Sequence, residues 1–311
     1  MDGFINVLKP PGMTSHDVVY FIRRVTGIKK CGHTGTLDPG AAGVLPVGLG
    51  KATRLSRFVT EGDKSYRAEL TLGLSTTSQD AYGELLESHN AANIKPEDFQ
   101  HVTAQFLGQI TQVPPMASAI KVGGKRLYQL EREGQTVEVP ARNVTIYDLQ
   151  VVNSWEWQRP NPRVLFDVTC SKGTYVRTLC SDIGKALGCG AYMSFLLRTR
   201  VGDFRIEEAL TLEEIKSLCD ENKIASALVP MSQSVGQMTL VEINSSALKS
   251  VSSGATLYPR GIQKTSKDIA EGELVRVEYC GKLLGIYLGA KDYHEDKERI
   301  VLKPEVVFQT K

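Results

Sequence analysis

The run Gly32-His33-Thr34-Gly35-Thr36-Leu37-Asp38-Pro39-Gly40, continued by Ala41-Ala42-Gly43-Val44-Leu45-Pro46 as far as Leu55, contains one acidic side chain, Asp38. Pro39 biases Asp38 toward an extended conformation and Pro-Gly then turns the chain, so the carboxylate stands at a loop tip. Taken alone, Asp-Pro-Gly is an ordinary turn. The glycines at 32, 35, 40 and 43, however, permit close backbone approach by a ligand. The run offers no second carboxylate to share general acid and base work, and a lone ionised Asp suits a nucleophile better than half of a carboxylate pair. Nucleotide cradles fail on residues. A P-loop needs Gly where Leu45 stands and Ser or Thr where Ala52 stands, and Gly48-Leu49-Gly50 lacks the third glycine of a dinucleotide fingerprint. His16, His33, His89, His101 and His294 show no ligand spacing with one another or with cysteine, so no zinc site is expected.

Several elements must position Asp38. After Pro10-Pro11-Gly12, Ser15 caps a helix with Val18, Val19, Phe21, Ile22 and Val25 on one face, and Gly27 ends it. Beyond the Asp38 loop, Tyr66, Ala68, Leu70 and Leu72 alternate with Arg67, Glu69 and Thr71 as a half-buried strand stopped by Gly73, which turns Tyr66 toward a cleft floor. Val164, Phe166 and Val168 make another strand, and Leu179, Ile183 and Leu187 a helix ending at Gly188, so a strand-to-helix junction surrounds Arg177. Residues 112–142 are rich in Pro, Gly, Lys and Arg without sustained periodicity and read as a partly mobile excursion. Thr211-Leu212-Glu213-Glu214 is a capping box. A linker is expected between Pro230 and Gln237, followed by short β-rich runs of a small barrel-like module.

The chain of 311 residues, 41% of them apolar, is long enough for about two domains. A net charge of +2 and a pI of about 8.1 fall short of a generally basic nucleic-acid binder, so any such site depends on local clustering. Six scattered cysteines read as free thiols of a reducing compartment. The N-terminus lacks a signal-peptide pattern and no apolar run approaches about 18 residues, which points to a cytoplasmic location and no membrane span.

Six stretches occur in a telling order. They are Asn6-Val7-Leu8-Lys9-Pro10-Pro11-Gly12, the GHTGTLDP run with Gly50-Lys51-Ala52-Thr53-Arg54, Lys64-Ser65-Tyr66, Gln112-Val113-Pro114-Pro115-Met116, Gly173-Thr174-Tyr175-Val176-Arg177 and Leu196-Leu197-Arg198-Thr199. Together they resemble the TruB family, bacterial synthases that make pseudouridine in the T-arm of tRNA, over about residues 4–205. The resemblance implies that Asp38 is the catalytic aspartate, attacking a flipped uridine at C1′ or at C6, and that no cofactor takes part. It implies that Tyr66 stacks on the target base and assists loss of the C5 proton, that Arg177 pairs with Asp38, that Leu196 packs on the base, with the adjacent Leu197 competing for that assignment, and that His33 fills the vacated stack. Two departures stand out. Gly40 and Ala41 replace a bulkier residue common after Asp-Pro, and Thr76-Thr77-Ser78-Gln79-Asp80 follows the family's Thr/Asp-rich run only loosely.

Base flipping costs a few kcal/mol, which phosphate contacts help to offset. Lys9 and Lys64 in the matched motifs, Lys29, Lys30, Lys51, Arg54 and Arg57 near the loop, and Lys121, Lys125, Arg126, Tyr128 and Arg132 in the excursion are the candidates. The expectation is an α+β fold: a mixed, largely antiparallel sheet of the pseudouridine synthase type with flanking helices over residues 1–232, the RNA-clamping excursion at about 112–142, and a PUA-like domain over 238–311. The partner is the tRNA T-arm, bound by a monomer needing no protein partner. The rivals are an RNA-binding module in which Asp38 is only a turn, and a guide-RNA-dependent relative inside a ribonucleoprotein.

Overall fold

The computed structural model describes residues 1–118, 120–135, 137–294 and 297–308; the side chains of 122, 128, 131, 132, 294, 297 and 298 lie outside that description. The chain opens with β1 (Gly3–Lys9), α1 (Ser15–Thr26), β2 (Cys31–His33) and β3 (Ala42–Leu49), then α2 (Ser56–Glu61), β4 (Lys64–Leu72) and a hairpin of β5 (Leu74–Thr76) and β6 (Leu85–Ser88). Next come α3 (Pro96–Ala104), β7 (Gly108–Gln112), a small hairpin of β8 (Lys121–Val122) and β9 (Lys125–Arg126), α4 (Leu127–Arg132), β10 (Arg142–Trp155) and β11 (Arg163–Cys170). The first unit closes with α5 (Val176–Ala186), β12 (Ala191–Val201), β13 (Phe204–Arg205) and α6 (Leu212–Asp220). One sheet runs in the order β1-β3-β12-β4-β11-β10-β7, with β2 added on β3 and β13 on β12; every pair is antiparallel except β3 with β12.

Strand β4 alternates as its sequence requires, with Tyr66, Ala68 and Leu70 buried in one core with Val164, Phe166, Val168, Leu179 and Ile183. Helix α1 starts one residue earlier than the Ser15 cap expected. The Thr14 hydroxyl accepts the Asp17 N–H at 3.1 Å and the Asp17 carboxylate accepts the Thr14 N–H at 2.8 Å, a reciprocal box with Asp in the usual Glu position. That frees the Ser15 hydroxyl, which accepts from the Leu37 N–H at 2.8 Å and donates to the Leu37 carbonyl at 3.1 Å, so the helix start grips the segment before Asp38.

Strands β7 and β10 pair Gln112 with Arg142, so the excursion leaves and re-enters the sheet at neighbouring positions. It is not without structure: Leu127 and Leu130, three residues apart on α4, are buried. A six-residue helix is too short for its period to show in sequence.

The last unit consists of β14 (Thr239–Ile243), α7 (Leu248–Ser252), β15 (Ile262–Thr265), β16 (Leu274–Tyr279), β17 (Lys282–His294) and β18 (Lys297–Val307). Its sheet, ordered β15-β14-β16-β17-β18, stays open: β15 does not pair with β18 among the described residues. The linker expected at 230–237 is instead packed, with Ser234 and Val235 buried. Val235 joins Phe4, Val44, Leu55 and Phe58 of the first unit and Leu283, Ile286, Val306 and Phe308 of the second in one shared core. Arg54 and Arg57, read from sequence as phosphate contacts, fasten this junction. Arg54 donates to the Val307 carbonyl at 2.7 Å with its guanidinium over the Phe308 ring, and Arg57 pairs with Glu305 at 2.9 Å. Among the described residues no helix is long and apolar enough to cross a membrane.

The parallel step between β3 and β12 places Gly43 opposite Arg198. Gly43 has φ +117°, and a Cβ there would lie 2.2 Å from the Arg198 carbonyl oxygen. Gly43→Ala is therefore expected to lower unfolding stability by about 2–5 kcal/mol, backbone strain and overpacking combined, in denaturant melts; an unchanged midpoint would show that this close approach is not needed.

Candidate active site

Asp38 begins a turn closed by the Ala41 N–H donating to its carbonyl at 3.1 Å, with Pro39 at the second position. Lys9, at the end of β1 and fully buried, sits beneath this turn. Its ammonium donates to the carbonyls of Ala41 at 2.6 Å, Pro10 at 2.9 Å and Pro39 at 3.2 Å. Burial pulls its pKa down to about 8, partly opposed by the Asp38 carboxylate. Lys9 is thus a strut for the loop and is not placed to meet a substrate, because all three of its donors are committed inside the protein.

Arg177 enters from the first turn of α5. The start of that helix is held by Gln112, which is buried and exchanges two hydrogen bonds with the backbone of Tyr175, at 3.1 and 3.2 Å. The guanidinium, 3% exposed, touches three loops at once. Nε lies 3.0 Å from Asp38 Oδ2, Nη1 lies 3.4 Å from Asp80 Oδ2 and donates to the Ser78 carbonyl at 3.2 Å, and Nη2 donates to the Ala117 carbonyl at 2.9 Å. Asp80 is held in turn by the Ser78 hydroxyl at 2.5 Å and the Tyr82 N–H at 3.0 Å. The sequence run around Asp38 has no second carboxylate, yet folding supplies one on the far side of Arg177.

Burial raises the Asp38 pKa above the usual carboxylate value; Arg177 is the largest opposing influence, and Asp80 adds to the rise. The Asp38 side chain keeps 39% of its surface exposed, so the group at the centre of this network still opens to solvent. Tyr66 and Leu196 belong to the same buried cluster as Leu37 and Ala41, the residues flanking Asp38. Leu196 pairs with Ala68 of β4 and is 7% exposed, whereas Leu197 is only partly buried and pairs with Arg67. An ionised carboxylate beside an apolar wall and a tyrosine can receive a flat ring and attack it.

Arg198 is the largest residue missed by the sequence reading. Fully enclosed between β3 and β4, it donates to the carbonyls of Val44 at 2.8 Å, Gly35 at 3.1 Å and Thr36 at 3.3 Å. Its charge also acts on the Tyr66 hydroxyl and on the Asp38 carboxylate. Burial pushes Tyr66 up to about 12 despite this neighbour, so at neutral pH the phenol keeps its proton and is not a standing base. Arg198 lies in the matched Leu-Leu-Arg-Thr stretch, and its position two residues from Leu196 on an alternating strand was the available signal for burial.

His33, at the end of β2, is half-buried; its Nδ1 accepts the Gly35 N–H at 3.3 Å and burial lowers its pKa, so the ring is neutral at the mouth of the loop. Lys64 is a correction. It is 7% exposed and donates to the Thr60 and Gly62 carbonyls, both at 2.7 Å, capping the end of α2 rather than reaching for a ligand. Burial lowers its pKa to about 8. Lys29, Lys30, Lys121 and Arg126 are exposed, and Lys125 pairs with Glu133 at 2.8 Å. Tyr128 and Arg132 lie on α4, but their side chains fall outside the described residues. Two of the four motif glycines make room for other parts of the chain: Gly43 admits the β12 backbone, and Gly40 admits the ring of Tyr82. Among the described residues no group of three or more His, Cys, Asp or Glu side chains is placed to hold a metal.

Residues 23–176 match the N-terminal domain of the TruB family of pseudouridylate synthases, and residues 177–236 match the C-terminal domain of tRNA pseudouridylate synthase B. A protein named tRNA pseudouridine synthase B from Pelotomaculum thermopropionicum is 48% identical over 308 residues, 99% of this chain and 97% of that one. Another of that name from Bacillus pumilus is 38% identical across 100% of this chain and 99% of its own length. A chain in a solved Cbf5-Nop10-Gar1 complex is 31% identical with a TM-score of 0.77, the match covering 99% of this chain and 85% of that one. The mixed sheet, the glycine-framed aspartate with its buried arginine and these full-length likenesses agree: the chain belongs to the TruB family of pseudouridylate synthases.

Proposed function

We propose that the chain converts a uridine in the T-arm of tRNA to pseudouridine, acting in the cytoplasm as a monomer with no obligatory protein partner and no cofactor. The observation that carries the site assignment is the 3.0 Å contact between the buried Arg177 and the solvent-open Asp38. A uridine flipped out of its loop lies against Leu196 and Tyr66. Asp38 attacks it at C1′ or C6, and the N1–C1′ bond breaks; the ring turns, C5 bonds to C1′, the bond to Asp38 breaks to restore the carboxylate, and the proton lost from C5 is balanced by one taken up at N1. Because Tyr66 keeps its own proton at neutral pH, its contribution is to hold the ring and relay through its hydroxyl, with Arg198 beside it stabilising any negative charge that develops there. His33, at the loop mouth, takes the place the uridine leaves in the stack. Lys121 and Arg126 on the excursion, with Tyr128, contact the RNA backbone or bases as it closes over the arm. The link between them and the chemistry is Ala117, whose carbonyl Arg177 holds.

Likeness to a chain solved in a Cbf5-Nop10-Gar1 complex, and to one solved in an H/ACA RNP, favours a second reading in which this chain needs a ribonucleoprotein assembly. The higher identity and fuller coverage of the bacterial synthases support the first. The purified chain alone is expected to release tritium from a T-arm stem-loop carrying 5-tritiated uridine. No release from a folded preparation overturns the stand-alone reading.

Three outcomes follow from the site. Asp38→Asn should fall below about a thousandth of the wild-type rate while still binding the stem-loop; retained turnover sinks the nucleophile assignment. The reactive form of Asp38 is the carboxylate, so rate climbs with pH through its pKa, which Arg177 holds down. Arg177→Met should therefore lower the rate and move the rising limb of the single-turnover pH profile upward, and an unmoved limb contradicts the pairing. Lys121→Ala should weaken RNA binding and flatten the dependence of log K on log salt by about 0.7–0.9 for each phosphate the lysine neutralises, read by filter binding at several salt concentrations.

A further inference from the structure

Tyr82 is 76% exposed, more than any other large apolar side chain among the described residues. A lone exposed aromatic is ordinary on most surfaces, but this one is held in place and placed at the site. Its backbone N–H donates to Asp80 Oδ1 at 3.0 Å, while the other oxygen of that carboxylate faces Arg177. The turn around it is folded tightly on itself: a Cβ on Gly83 would come within 2.4 Å of the Ser78 hydroxyl. The phenol end of the ring rests on Gly40, where a Cβ would meet Tyr82 Cε2 at 2.0 Å, Cζ at 2.4 Å and Oη at 2.5 Å. Gly40 is not among the glycines with positive φ, so what its missing side chain provides is room for this ring. Gly40 follows Asp38 by two residues, which puts its Cα within about 7.6 Å of the Asp38 Cα.

An aromatic ring set against the backbone of the Asp38 loop, with most of its surface open, matches how single-stranded RNA loops are gripped. Unstacked bases lie on rigid aromatic faces, and the contact tolerates any base. We propose that Tyr82 is a stacking platform for a nucleotide of the substrate RNA adjacent to the isomerised uridine; this rests on the RNA isomerase reading above. Asp80 ties the platform and Arg177 to one carboxylate, so the stacked nucleotide is placed relative to Asp38 rather than gripped at a distance. A protein-docking role for the same ring finds no support in this coupling to the site.

The test compares Tyr82→Ala and Tyr82→Phe in the full chain. With the tritiated T-arm stem-loop, Tyr82→Ala should raise KM about ten-fold with kcat within about two-fold of wild type, and Tyr82→Phe should keep the wild-type KM, since stacking needs the ring and not the hydroxyl. In parallel, stem-loops with 2-aminopurine on either side of the target uridine should change fluorescence on binding to wild type and Tyr82→Phe, and lose that change with Tyr82→Ala. Equal KM and equal fluorescence for all three overturn the proposal and leave the ring to a partner other than RNA. A fall in kcat alone, or a Phe variant as poor as Ala, also overturns it, because either outcome assigns Tyr82 to loop geometry or to its hydroxyl. If wild type releases no tritium, the isomerase reading fails separately, and the fluorescence titration still decides for or against stacking.

Discussion

A guanidinium removed from water must find an acceptor for nearly every N–H, and leaving one unmet costs more than a good contact returns. Arg177 meets this demand with two carboxylates and two carbonyls drawn from three separate loops. That single requirement organises the cleft. It draws the 78–80 turn, the segment at Ala117 and the Asp38 turn to one point, and it accounts for Gln112 fixing the backbone where α5 begins. A charge that must be satisfied from several directions gives the surrounding loops one arrangement in which all of them fit.

The same logic governs the other cations near the site. Lys9 and Arg198 lie under the Asp38 loop and each spends two donors on its carbonyls, Pro39 and Ala41 for Lys9 and Gly35 and Thr36 for Arg198, with a third on Pro10 and on Val44 respectively. Irregular backbone leaves carbonyls without ladder partners, and a loop that must stay open to substrate cannot pair them with a strand. Long cationic side chains reaching up from the sheet solve this problem without closing the mouth. They also create a positive field beneath Asp38, opposing the cost of burying its charge.

Much of this was legible in the chain. The alternation in β4 and β11 and the capping box at Thr211 marked their elements, because burial on one face writes period two, and a helix start a cap pattern, directly into residue types. Asp38, Tyr66, Arg177 and Leu196 were singled out through matched motifs; folding sets Arg177 against Asp38 and puts Tyr66 and Leu196 in the cluster that holds Leu37 and Ala41. What stayed hidden was the destination of charge. A lysine or arginine in sequence looks the same whether its head meets phosphate, a carbonyl or a carboxylate, so Lys9 and Lys64 read as RNA contacts when they are internal fasteners, and Arg54 and Arg57 read so when they bond across the junction of the two sheets. Asp80 and Arg198 were overlooked for the converse reason: their partners lie on other strands and loops. The packed connection at Ser234 and Val235 was read as a linker because its Pro, Ser and Gly content signals turns whether or not the turn is buried.

The core shared by the two sheets couples the extremes of the described chain. Phe4 on the first strand and Phe308 beyond the last lie in one apolar cluster with Val44, Phe58 and Val235. Loop closure over so long a separation is slow, and contacts of this kind form late. During synthesis the first sheet therefore assembles with an apolar face still uncovered, and that face is sealed only when the residues around Val306 and Phe308 become available. The C-terminal unit is then more than an accessory beside the catalytic sheet: its arrival completes the packing of β1, the strand that carries the Lys9 strut beneath Asp38.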